Sequence, residues 1–316
     1  MAWYVARRVA TGVATFIAVT AISFALIFVP GALTIAREVL GNPTYITPQA
    51  IQAEAQSLGL LRPLPVQYAD WLRGLFTGNL GRSLQNGQSV NSILAIHVPV
   101  TLSLVIVSLL LTVALSLLLG LGAAMRGGLI DRALQLLSVG TLAIPSYWLA
   151  LILATVFGVT LRLVPATGYI PITVSFGGWL SSIILPSIAI AVANVAAVGQ
   201  QLRGAMLDVL RQDYIRTLRS RGISRRAVVL RHALRNAAAP GLTVLSLQVI
   251  YTLGGTVIME RIFALPGVGT VAVNSGAQGD VPVVLGVVTF MTVVVVAVNI
   301  MVDIINGWLS PKARIR

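Results

Sequence analysis

The chain has 316 residues, of which 57% are hydrophobic and 10% charged. Soluble domains carry roughly 25% charged residues, so a water-soluble globular body is excluded. The formal charge is +13 and there is no cysteine. The basic residues sit in loops beside apolar segments rather than in a separate basic domain, which argues against a nucleic-acid partner. The missing cysteines exclude disulfides, thiolate metal sites and cysteine nucleophiles.

The N-terminus, MAWYVARRVATGV, begins like a signal peptide, but the apolar stretch runs from Val9 to Val29. A cleavable core is about 7–15 residues, whereas this stretch would rise roughly 31 Å as a helix and cross a bilayer. It is expected to be an uncleaved anchor. Further apolar segments follow at Val100 to Met125, Ala133 to Val159, Trp179 to Val198, Pro240 to Ile258 and Pro282 to Leu309. The predicted fold is therefore an all-α polytopic membrane protein with six transmembrane helices.

The expected organisation is residues 1–29 as tail and first span, 30–98 as an external loop domain, and 99–316 as a five-helix core containing a loop at 203–240. Residues 30–98 carry Pro, Gly, Asn and several amphipathic runs, too much chain for a simple connection. With the N-terminus inside, sixteen Arg and Lys fall in cytoplasmic segments. Six fall outside, namely Arg37, Arg62, Arg73, Arg82, Arg162 and Arg261. The positive-inside rule places both termini in the cytoplasm.

In the 203–240 loop, Met206, Leu207, Leu210, Tyr214 and Leu218 fall at helical spacing and predict one amphipathic helix. Gly222 can stop it with a positive φ at C′. Ser224 offers an N-cap for a second helix, which carries Val228, Val229 and Leu234 and ends before Pro240. Two short helices joined at a glycine would lie across the inner membrane surface. By composition alone, an arginine-rich helix pair held on anionic lipid fits equally well.

Polar groups within spans are candidates for a translocation pathway: Asn194, Gln248, Asn299 and Asp303, with Tyr147 and Trp148 beside Pro145. Asn299 and Asn306 share a helical face with Asp303, and packing of the last helix explains that strip as well. Pro145 and Pro186 are expected to kink the third and fourth spans. The run Phe263 to Gly269 is too short to span and is expected to form a turn and short helix. Asp280 and Pro282 suit the start of the last span. His97 and His232 have no neighbours at metal-ligand spacing, so no metal is expected. No GxxxxGK[ST] loop is present to hold ATP.

The segment DYIRTLRSRGISRRAVVLRHALRNAAAP, Asp213 to Pro240, closely resembles the coupling loop of binding-protein-dependent ABC importer permeases, in their dipeptide/oligopeptide branch. Asp213, Tyr214, Arg216, Thr217, Arg219, Gly222, Ser224, His232, Arg235 and Asn236 stand where that pattern places them. Leu58 to Val90, Glu260 to Val284 and Asn299 to Arg316 are similar to other stretches of the same family, in the same order. Gly279 replaces a usual Arg, Ser310 a usual Asp, and PGAL at Pro30 to Leu33 stands for a usual Pro-Gly-Asp-Pro.

The resemblance implies a non-catalytic permease subunit of the bacterial inner membrane, forming half of the translocation pathway. Its partners would be a second homologous permease, two ATPase subunits that bind ATP and Mg, and an extracytoplasmic substrate-binding protein, with membrane lipids around it. The chain itself would bind no cofactor. The coupling residues named above would dock the ATPase. Relatives of this kind carry dipeptides, longer peptides, nickel chelates or haem-like ligands, and peptide is the expected substrate. A secondary transporter is the reading from another class, and it would need more ionisable groups within the spans.

Overall fold

The computed structural model describes residues 2–41 and 47–309. Among these, helices account for every extended element. Their order is α1 (Ala2–Ile27), α2 (Ala32–Val39), α3 (Pro48–Ser57), α4 (Leu64–Phe76), α5 (Val90–Arg126), α6 (Gly128–Ala143) and α7 (Ser146–Leu153). After a π-helical turn at Ala154–Thr160 come α8 (Phe176–Leu210), α9 (Asp213–Ser220) and α10 (Arg225–Ala227). A π-helical stretch, Val228–Ala233, then leads into α11 (Leu234–Ile262), and α12 (Val268–Ala277) and α13 (Val281–Leu309) complete the order.

Among the described residues five helices are long and apolar enough to cross a membrane, and the expected third span is a bent pair of helices that makes a sixth only if the two count as one span. Gly128–Thr141 and Ser146–Thr160 meet at 104°. The cause is local: Ile144 precedes a proline and is forced to φ −116°, ψ 112°, which no helix can contain. Pro186 behaves otherwise, since α8 runs unbroken through it. Pro99 and Pro240 are likewise held inside α5 and α11.

The chain forms two compact units. One comprises residues 1–9, 102–265 and 297–316 and the other residues 10–101 and 266–296. In the first, α8 is the central helix, packed against α6, α7 and α11. Lipid offers little hydrophobic drive between helices, so close backbone approach and polar bonds carry the packing. A Cβ on Gly120 would lie 2.9 Å from the Gly199 carbonyl oxygen, so glycine is what lets α5 approach α8. Asn194 Nδ2 donates to Thr252 Oγ1 at 2.9 Å, linking α8 to α11. Gln200 Nε2 donates to Ser138 Oγ at 3.1 Å, and Arg203 pairs with Asp131, linking α8 to α6. Such bonds within membranes contribute about 0.6 kcal/mol each on average.

In the second unit, Phe24, Phe28, Ile35, Ala36, Ala55 and Leu60 form one core with Val281 and Leu285. Tyr68 and Trp71 from α4 pack on it, stacked at 5.7 Å. The amphipathic runs of residues 30–98 are thus short helices built around α1. A small turn closed between Arg82 and Ser89 is fastened to the start of α13. There the buried Asp280 accepts from Ser83 Oγ at 2.5 Å and from Leu84 N at 3.0 Å. The run after Phe263 does form a short helix, α12, with Val268 N donating to Thr101 Oγ1 at 2.8 Å.

Candidate functional site

The family-like loop folds as a compact hairpin of helices. Helix α9 does not continue the face that begins at Met206, as the apolar spacing led us to expect. The chain leaves α8 at Leu210, and Gln212 adopts ψ 148° before α9 restarts at Asp213. Met206 therefore belongs to the end of α8 and Tyr214 and Leu218 to a separate helix. Ile215, fully buried, is the residue that anchors α9 among Leu202, Met206, Val209, Val228, Val229, Ala233 and Ala237.

The end of α9 is a Schellman turn. Ile223 N donates to Leu218 O at 3.3 Å and Gly222 N to Arg219 O at 3.0 Å, with Gly222 at φ +77°. A Cβ on Gly222 would meet nothing within 4 Å, so the demand for glycine there is conformational rather than steric. Ser224 caps the returning helix, its Oγ accepting from Ala227 N at 3.4 Å. Arg225 donates to Met125 O at 2.6 Å and so satisfies a carbonyl at the end of α5.

The returning helix does not stop before Pro240, contrary to expectation. It passes from α10 through the π-helical stretch into α11 as one continuous run. Proline removes one helical hydrogen bond, and membrane helices tolerate this where neighbouring groups take up the freed carbonyl. The second helix of the loop is thereby the root of a span. Asn236 Nδ2 donates to Tyr214 Oη at 2.9 Å and to His232 O at 3.3 Å, so α9 is bonded to that root.

Of the ten expected coupling residues, Asp213, Arg216, Thr217, Arg219, Gly222, Ser224, Arg235 and Asn236 are exposed, and Tyr214 and His232 are half-buried. Asp213 and Arg216 form an ion pair at 3.5 Å that is 96% and 78% exposed and hence weak. Thr217 Oγ1 turns back to Asp213 O at 3.2 Å. These residues lie on α9 and the start of the return helix, and the Tyr214–Asn236 bond joins the two.

The pathway candidates differ in exposure and partners. Asn194 is buried and bonded to Thr252, and Gln248 and Asn299 are half-buried. Asp303 pairs with Arg8 at 3.1 Å. Asn306 Oδ1 is buried with no hydrogen-bond partner among the described residues. Tyr147 and Trp148 are both exposed, with ring centres 6.5 Å apart. His97 Nδ1 donates to Pro266 O at 2.7 Å, a structural hydrogen bond. The sequence pattern leaves Glu260 beyond the fifth apolar segment, Pro240 to Ile258, and singles it out for no role. The carboxylate is fully buried in the last turn of α11. The signal was present in the helical spacing of Thr252, Thr256 and Glu260, which share a buried face.

Residues 116–315 match the model of the binding-protein-dependent transport system inner membrane component family, and residues 1–105 match its N-terminal companion. The chain belongs to this permease family. A putative peptide transport system permease protein of Brucella abortus is 36% identical over 310 residues, covering 98% of each chain. A di/tripeptide transport system permease protein of Pseudomonas aeruginosa is 35% identical over 333 residues, again covering 98% of each. A dipeptide transport system permease protein of Bacillus subtilis is 34% identical over 321 residues, covering 100% of this chain and 99% of the relative. This permease is accordingly a multi-pass inner-membrane transport subunit and not itself a catalyst.

Proposed function

We propose that this permease forms half of the translocation pathway of an ATP-driven importer of di- or oligopeptides, paired with a second permease subunit. Two ATPase subunits, which hold ATP and Mg, would dock on the surface of α9 around Gly222. A substrate-binding protein would deliver peptide to the opposite face, and both termini of the permease would be cytoplasmic. The relatives support the substrate class, since each of the three is named for peptide transport and aligns over its full length.

The observation that carries the coupling role is the attachment of α9 to α11. An exposed helix is closed by a rigid glycine turn and hydrogen-bonded to the root of a span, so force on α9 is delivered to α11. Such an element suits rigid-body switching between outward-open and inward-open states. The test is affinity purification of the permease with its transport partners, followed by reconstitution. ATP-dependent peptide uptake by the proteoliposomes supports the reading, and uptake without ATP under an ion gradient refutes it.

A further inference from the structure

The apolar side of α9 is used inside the protein. Ile215 is fully buried, and Tyr214 and Leu218 pack on the same cluster, formed with Met206, Val209, Val228 and Val229. The residues of α9 left exposed are Asp213, Arg216, Thr217, Arg219 and Ser220, and none of them is apolar. A helix that lies on a bilayer sinks an apolar face about 5–10 Å into the headgroup boundary. Helix α9 has no such face left, so a lipid surface is not what it fits.

Its exposed side carries positive charge that the chain does not balance. Arg216 and Arg219 stand three residues apart on one helix, which makes them neighbours at about 5–6 Å between Cβ atoms. Arg211 and Arg221 flank the helix and are exposed as well. From Val209 to Met259, Asp213 is the one acid. It pairs weakly with Arg216 at 3.5 Å, and Arg219 and Arg221 pair with no acid among the described residues. Neighbouring charges of like sign weaken a helix, so the arrangement calls for a counter-charge outside the chain.

Ile215 and the Tyr214–Asn236 bond hold α9 in one orientation, which presents these charges ready arranged. We propose that Arg216 and Arg219 select an acidic docking surface on the ATPase subunit and that the ion pairs made there set how tightly it is held. The inference rests on the reading of α9 as the ATPase dock and adds the chemistry of the surface it meets. Exposed pairs are screened by salt and act chiefly on association and choice of partner. Two such arginines together strengthen association by about tenfold at low salt.

The assembled transporter is captured through a tag on the permease in phosphatidylcholine nanodiscs and washed at rising salt, and the ATPase subunits retained per permease are quantified. Wild type should hold them at low salt and release them as salt rises. Arg216→Gln/Arg219→Gln should release them at lower salt, with about tenfold weaker affinity when the subunits are titrated back. Arg216→Lys/Arg219→Lys should stay near wild type, which separates charge from misfolding, and Arg216→Glu/Arg219→Glu should retain almost none. Salt-independent retention by wild type, or equal retention by the glutamate variant, overturns the proposal. So does a glutamate variant that keeps its ATPase subunits but no longer retains added phosphatidylglycerol, which would assign the pair to a membrane surface. A wild type that captures no ATPase at any salt would remove the docking reading together with this one.

Discussion

Tyr214 Oη and Asn236 Nδ2 are 2.9 Å apart, and this bond joins α9 to the helix that continues as α11. Both groups lie at an exposed surface, so the bond contributes only about 0.5–1.5 kcal/mol. Its value is mechanical, because it ties α9 directly to the root of α11, beyond the non-directional apolar contacts of Ile215. Tyr214→Phe should leave assembly intact and lower peptide-stimulated ATP hydrolysis severalfold, and Asn236→Ala should do the same. The double variant should be no worse than either single one, since both remove the same bond. Additive losses in ATPase assays would show that the two residues act separately.

Asp280 is buried, and its carboxylate is the acceptor for both Ser83 Oγ and Leu84 N. Asp280→Ala leaves two donors without that acceptor, at a cost of about 2–4 kcal/mol. The turn between Arg82 and Ser89 should then open. Limited proteolysis of the purified permease should cut between residues 82 and 89 faster in this variant, with wild-type rates after Gln88→Ala, an exposed position.

Asp303 faces Arg8 at 3.1 Å, with the two side chains 27% and 44% exposed. A pair this accessible contributes about 1 kcal/mol or less. Asp303→Asn should therefore keep peptide uptake within about twofold of wild type. Loss of uptake in a normally assembled complex would instead place Asp303 in the pathway.

The absence of cysteine makes the topology directly measurable. Single cysteines at Gln88 and Ser220, both exposed, should react with an impermeant maleimide from opposite sides of the membrane. Labelling of both from outside would overturn the orientation drawn from the basic residues.

Hydropathy located the spans because the bilayer demands about 20 apolar residues whatever their partners. Hydropathy alone could not show the bend at Ile144, since apolar residues continue on both sides, but Pro145 marks it through the restriction on the residue before proline, and a kink is expected there. The break between α8 and α9 was hidden. Leu210, Tyr214 and Leu218 keep a four-residue spacing across Arg211 and Gln212, and periodicity carries no trace of an interruption that preserves phase. Pro240 misled in the opposite direction, because a stop signal in water is tolerated where a helix enters a membrane. Gly222 and Ser224 were legible because a positive φ and an N-cap are demands met within a few residues. The Tyr214 to Asn236 bond depends on how two helices dock, which no local pattern encodes.

The coupling role of α9 rests most directly on Gly222. At φ +77°, any side chain with a Cβ is strained by about 1–2 kcal/mol, and a β-branched one by more, although no neighbour obstructs it. That strain is small beside the packing of the spans but large for the geometry of a docked helix. Asparagine tolerates the left-handed region best, so activity should fall in the order Gly, Asn, Ala, Val. The decisive measurement is ATP-driven peptide uptake by the reconstituted complex carrying Gly222→Val, with recovery of the permease and ATPase subunits monitored in parallel. The permease should insert and purify normally while uptake falls at least about tenfold. Wild-type uptake by Gly222→Val would contradict the assignment of this turn to coupling.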